Sequence, residues 1–106
     1  MEIIKSIHAA WPCVTITERL DTMTAPELEK AGCDQLEEAA QMALDFSQLD
    51  YISSAGLRTL LILGKKAQAK GGSVVLCGAS GMVKEILEES GINDFFVTYN
   101  SVSDLP

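Results

Sequence analysis

Two hydroxyls stand together at Ser53 and Ser54 in the run LDFSQLDYISSAGLRTLLILGKKAQAKGG, where a buried-strand pattern gives way to a helical one. A serine at such a junction has three chemical uses. It can cap the helix by offering its oxygen to an orphan backbone N–H, attack as an activated nucleophile, or accept a modifying group. Attack asks for more than a hydroxyl. The hydrolase elbow is Gly-x-Ser-x-Gly, and the position two before Ser54 is Ile52. A general base is also needed, and His8, the sole histidine, falls on a predicted edge hairpin. The spacing disfavours an enzyme and leaves a cap and a modification site, which do not exclude each other.

Other chemistry-bearing residues make weaker sets. CGASG, after a strand and before a helix, has glycines that could bring backbone N–H groups to a phosphate, but it lacks the Walker lysine and the full G-x-G-x-x-G. A tight turn is the reading that remains. Asp45 and Asp50 flank a strand end without a second acidic cluster at ligand spacing, so no metal site is expected. Cys13, Cys33 and Cys77 are odd in number and far apart, without C-x-x-C. That pattern fits packed thiols in a reducing cytoplasm rather than a disulfide framework or zinc site.

Bulk properties narrow the partners. A chain of 106 residues with 47% apolar residues suits one compact domain, taken as 1–106. A net charge of −7 argues against direct nucleic-acid binding, which relies on Lys and Arg. The start, MEIIKSIHAAWPCV, is unlike a secretory peptide, and no apolar run approaches a membrane span.

The elements that must position the serines alternate along the chain. EIIKSI and CVTIT read as strands with a turn at Trp11-Pro12, a hairpin. TAPELEKAGCDQLEEA opens a helix with Thr24 as cap, Pro26 in the first turn and Glu27 completing a capping box, and it turns Leu28 and Leu36 inward. MALDF has the unalternating pattern of a strand covered on both faces. The next helix carries Leu57, Leu60, Leu61 and Gly64 on its core stripe, has Lys65, Lys66 and Lys70 in its last turns, and stops at Gly71-Gly72. SVVLC, SGMVKEILEESG and FFVTY follow as strand, helix and strand. The order is ββαβαβαβ, with a short C-terminal helix left open: an α/β fold in which helices cover a mostly parallel sheet that starts with a hairpin.

Charge singles out one segment. From Tyr51 to Lys84 there is no Asp or Glu, yet Arg58, Lys65, Lys66, Lys70 and Lys84 all lie within it. The lysines before Gly71 are ordinary helix-end cations. Arg58 is not, because it falls in a first turn, where the dipole disfavours a cation and something negative must compensate, in this chain or in a partner.

LDFSQLDYISSAGLRTLL resembles the signature of STAS domains, the anti-sigma factor antagonists of bacteria, in which Asp-Leu/Phe-Ser is followed by aromatic-Ile/Met-Asp-Ser-Ser/Thr-Gly-Leu. RLDTMTAPELE is similar to the family's Gly-x-Leu-Asp-x-x-Thr-Ala segment, and GGSVVLCGASGMVKEILEESGINDFF to its later strand and helix. The likeness spans nearly the whole chain. It implies the STAS fold and a regulator that catalyses nothing and needs no cofactor. It also implies a partner, a serine kinase of the histidine-kinase ATPase fold that serves as anti-sigma factor. That kinase phosphorylates the serine two before the motif glycine, and a metal-dependent serine phosphatase reverses the step. The unphosphorylated antagonist binds the kinase and frees sigma.

Carried over by position, Gly56 is the motif glycine, Ser54 the phosphorylated residue, Asp21 the loop aspartate beside it and Thr24 the helix-entry threonine. Leu57 and Arg58 extend the expected partner-binding set. Three positions depart from the pattern: Ser53 replaces an Asp, Ala55 a Ser or Thr, and Glu18 the loop glycine. Ser53 thereby becomes a second, less favoured hydroxyl target and a member of the binding set. A phosphate suits a helix N-terminus, so Ser54 is read as both cap and switch. The other class in which STAS domains serve is as non-phosphorylated subunits of lipid-trafficking ABC transporter assemblies. A retained serine with Asp21 favours the phosphoswitch.

Overall fold

The computed structural model describes residues 1–106. In chain order its elements are β1 (Ile3–His8), β2 (Trp11–Ile16), β3 (Glu18–Leu20), α1 (Ala25–Glu38), β4 (Gln41–Asp45), β5 (Leu49–Ile52), α2 (Ser54–Ala69), β6 (Ser73–Cys77), α3 (Gly81–Glu89) and β7 (Val97–Tyr99), with single 3-10 turns at Ile92–Asp94 and Val102–Asp104. Five strands form a sheet in the order β1-β2-β4-β6-β7. Only β1 and β2 are antiparallel. The α/β expectation holds, including the opening hairpin and three helices.

Period-two alternation sorts the strands onto two covered faces. Val14, Ile16, Met42, Leu44, Val74 and Leu76 point into the main core with the helices, where Leu28, Leu36, Leu60, Leu63 and Leu87 meet them. Their neighbours Cys13, Ala43, Val75 and Cys77 point to the opposite face and are covered by Trp11 and Leu105. Both faces of the central strand are therefore buried, which is why MALDF shows no alternation in its polarity.

Three local expectations need correction. The hairpin turns at Ala9-Ala10, with φ of 51° and 67°, and not at Trp11-Pro12. Two consecutive left-handed residues make the tight turn whose twist matches the strands. Pro12 instead sits inside β2 opposite Ile7, and the β2–β4 ladder begins only at Cys13, so the missing N–H leaves no gap in it. The core stripe of α2 is rotated from the expected one: Gly56, Thr59, Leu60, Leu63, Gly64 and Ala67 are buried, while Leu57 and Leu61 are half-buried at its margin. Finally, β7 starts at Val97. Phe95 and Phe96 form an edge-to-face pair with ring centroids 5.0 Å apart, and both lie against Gly64, where a Cβ would come within 2.8 Å of each ring.

Candidate functional site

Two short strands that periodicity does not announce build the site. β3 and β5 pair in parallel as a separate ribbon, with Leu20 beside Ile52. The Ser53 N–H donates to the Leu20 carbonyl at 2.9 Å. The residues that follow each strand, Asp21 on one side and Ser53 and Ser54 on the other, therefore leave the ribbon side by side. A bulge between Glu18 and Arg19 sets this register, and Glu18 has a φ of 64°. That is the position where the expected pattern has glycine, the residue best suited to such a backbone.

Asp21 organises the turn into α1. Its Oδ1 accepts from the Met23 N–H at 3.0 Å and from the Thr24 N–H at 3.2 Å, and its Oδ2 accepts from Arg19 Nε at 3.4 Å. Partial burial pushes this carboxyl up, but the hydrogen bonds from Met23, Thr24 and Arg19 outweigh it and hold Asp21 below its ordinary value. Thr24 is not the expected side-chain cap. Its backbone is already helical, and no N–H of α1 reaches its hydroxyl. That hydroxyl turns back, accepting from the Asp21 N–H at 2.9 Å and lying 2.9 Å from the Arg19 carbonyl. Thr24 thus ties the loop to β3.

At α2 the two serines divide the work. Ser53 is the N-cap, with extended backbone (φ −97°, ψ 175°), and its Oγ accepts from the Gly56 N–H at 3.4 Å. Ser54 is the first helical residue and is exposed, so the expectation that Ser54 itself caps is corrected. Gly56 is buried. A Cβ there would lie 2.8 Å from Ile52 Cγ1 and 2.9 Å from Leu20 Cγ, so the glycine lets α2 seat on the ribbon and contributes packing rather than exposed surface. Leu57 is half-buried against the core, and Arg58 is exposed. Arg58 shares a groove between α1 and α2 with Glu29 and Thr22 but is in none of the chain's ion pairs.

The structure adds a pair that the sequence reading passed over: the Arg19 guanidinium lies 4.4 Å from the centre of the Tyr51 ring. The two face each other across the ribbon. The signal was available, since Arg19 stands two before Asp21 as Tyr51 stands two before Ser53, but it has meaning only once the ribbon is known.

The remaining candidates are structural. Gly78, in the turn after β6, and Gly81, the first residue of α3, both have positive φ, at 75° and 54°. Asp45 is buried, accepting from Thr15 Oγ1 at 3.2 Å and the Ser47 N–H at 3.0 Å. His8 ends the edge strand β1 and is exposed. Burial above all, with Cys13, Asp45 and Asp104 nearby, pushes the Cys77 thiol up to about 11. Burial raises Cys13 too. Thiols held protonated in this way are packing groups rather than nucleophiles.

The site is thus a ribbon that joins an aspartate loop to a serine-bearing helix start, beside a sheet opened by a hairpin, and the sequence model described as the STAS domain matches residues 1–105. The chain belongs to the STAS domain family. It is 36% identical over 83 residues to BtrV of Bordetella bronchiseptica, a protein named for an anti-sigma factor antagonist role, covering 77% of this chain and 72% of that one. Its fold matches an anti-sigma factor antagonist from Mycobacterium paratuberculosis with a TM-score of 0.87 at 20% identity, over 97% of this chain and 88% of the other. It also matches the Bacillus cell fate determinant SpoIIAA in its phosphorylated form, with a TM-score of 0.69 at 13% identity, over 92% and 90% of the two chains. No helix is long and apolar enough to cross a membrane.

Proposed function

We propose that this chain is an anti-sigma factor antagonist that acts in the cytoplasm as one domain over 1–106. Its unphosphorylated form binds an anti-sigma serine kinase and releases sigma factor. Phosphorylation of Ser54 by that kinase switches it off, and a serine phosphatase restores it. The observation that carries the reading is the division of labour at α2: Ser53 makes the cap bond, which leaves the Ser54 hydroxyl exposed beside the Asp21 loop. The likeness to BtrV supports the same role.

The chemistry follows from that position. In the kinase, the γ-phosphoryl group of ATP passes to Ser54 Oγ, the hydroxyl proton goes to a base of the kinase, and ADP leaves. This chain is the substrate and supplies no catalytic group. The product gains about −1.5 to −2 charge and three acceptor oxygens. At the first position of a helix, the free N–H groups and the dipole accommodate that charge. The fold can persist while the surface that met the kinase changes sign.

The test is phosphopeptide mapping after incubation with an anti-sigma serine kinase from the same organism and ATP. Label on Ser54, abolished by Ser54→Ala, is expected. Label on Ser53 with Ser54 untouched would show that the register is wrong. No label on a chain that instead co-purifies with an ABC ATPase would favour the transporter-subunit role.

A further inference from the structure

The β3–β5 ribbon carries a single cation. Glu18 and Asp50 are its acids, and Glu18 lies 3.5 Å from the N-terminal ammonium. The basic side chain is Arg19, and it has a defined direction. It crosses from β3 to β5, 4.4 Å from the centre of the Tyr51 ring, and it runs forward along β3, because its Nε reaches Asp21 Oδ2 at 3.4 Å. Across and forward is the corner at which the serines leave the ribbon, since the Ser53 N–H donates to the carbonyl of Leu20, one residue before Asp21. Ser54 stands three residues beyond Tyr51, about 10 Å along an extended chain. By meeting Asp21, the guanidinium is already two residues along that path.

Most of this guanidinium is unused. Its fork has several N–H donors, and within the chain only Nε has an acceptor. The terminal amines sit without a partner on an exposed side chain. Stacking on Tyr51 holds the fork in place, so little freedom remains to be lost when a second anion arrives. Position 53 matters as well. The expected pattern has an Asp there, a carboxylate that would compete for the same fork, whereas this chain has Ser53, whose oxygen accepts from the Gly56 N–H.

We infer that, once Ser54 is phosphorylated, Arg19 bridges Asp21 and the phosphate, keeping Nε on the carboxylate and turning its terminal amines to the phosphate oxygens. The inference rests on the reading of Ser54 as the switch and adds the group that receives the phosphate. A planar fork suits such a bidentate contact. Without it, the Asp21 carboxylate and a phosphate of about −1.5 to −2 charge would stand unneutralised at the same end of the ribbon. The bridge draws the phosphate onto the ribbon, so the phosphorylated surface becomes a fixed anion–cation–anion array instead of a mobile dianion. Arg58, four residues after Ser54, is the rival cation. It shares the groove between α1 and α2 with Glu29 and is not stacked on a ring.

Phosphoserine incorporated in place of Ser54 by genetic code expansion makes the test independent of any kinase. Its phosphate is titrated by phosphorus NMR in the full chain and in the Arg19→Gln and Arg58→Gln variants, with thermal melts confirming that each is folded. A free phosphoserine titrates at about pH 6. A guanidinium at hydrogen-bond distance favours the dianion and lowers that midpoint. Arg19→Gln is expected to raise the midpoint by about half a pH unit or more, and Arg58→Gln by less than about half of that rise. Loosening of the Asp21 loop alone would change the melts and leave the phosphate titration where it was. A midpoint unmoved by Arg19→Gln, or moved as far by Arg58→Gln, would overturn the bridge. Neither result touches the antagonist reading, which fails instead if the kinase leaves Ser54 unlabelled.

Discussion

Gly56→Ala tests whether the seat of α2 on the β3–β5 ribbon positions Ser54. The added Cβ would stand 2.8 Å from Ile52 Cγ1, 2.9 Å from Leu20 Cγ and 3.0 Å from the Leu20 carbonyl oxygen, where ordinary contact begins at 3.4 Å. Two of these atoms belong to Leu20, which is wholly buried, and one is its backbone, so relief requires α2 to lift by about half an ångström. Overpacking of this kind costs about 1–3 kcal/mol. Replacing glycine within a helix returns up to about 1 kcal/mol. A net loss of about 1–2 kcal/mol is expected in urea unfolding. The kinetic effect should be larger, because the lift strains the 2.9 Å bond between the Ser53 N–H and the Leu20 carbonyl and separates Ser54 from the Asp21 loop. With the variant still folded, Ser54 phosphorylation should slow by about tenfold, since displacements well below 1 Å matter in a group-transfer complex. A variant as stable as the parent and phosphorylated at the parent rate would refute the claim that this contact sets the site.

Ser53→Ala removes the cap and should cost about 0.5–1 kcal/mol, at the low end because the bond is long, whereas Ser54→Ala should stay within about 0.5 kcal/mol in the same unfolding assay. Ala9→Asn with Ala10→Gly relieves two left-handed alanines and should add about 1–2 kcal/mol, seen as a rise of several degrees in Tm. The Asp21 carboxyl, followed by NMR, should titrate below 3.8. The sign for stability follows: its contribution is fully present above the ordinary aspartate pKa and is lost as pH falls through the lowered one, so parent and Asp21→Asn should converge in stability in strong acid. A midpoint at or above 3.8 would remove the role of the Asp21 hydrogen bonds.

Long elements were legible in the sequence because burial imposes a pattern on them. Leu28 and Leu36 mark the inner side of α1, and Gly91, with a φ of 79°, follows α3 where the pattern stops. The ribbon was not legible. β3 has three residues and β5 four, too few for alternation to show, and each carries exposed charge, at Glu18 and Arg19 and at Asp50. The true hairpin turn was hidden because Ala-Ala gives no turn signal, while the adjacent Trp-Pro gives a false one. At the site, residue types and spacing pointed to Ser53 and Ser54 and to Thr24 as a helix cap, and the family resemblance added Asp21 and Thr24 as expected binding residues, but neither gave their division of labour. That depends on backbone angles: Ser53 is extended and can cap, whereas Thr24 is already helical and cannot. The deviant Glu18 was visible as a departure, and its left-handed backbone explains why glycine is the expected residue there.

The measurement that bears most directly on the proposed role is sigma release. A preformed complex of sigma factor with the kinase is mixed with this chain, before and after complete phosphorylation at Ser54, and the free sigma is separated by size-exclusion chromatography. The unphosphorylated chain should displace sigma and elute with the kinase, and the phosphorylated chain should leave the complex intact. Equal displacement by both forms, or by neither, would contradict the account.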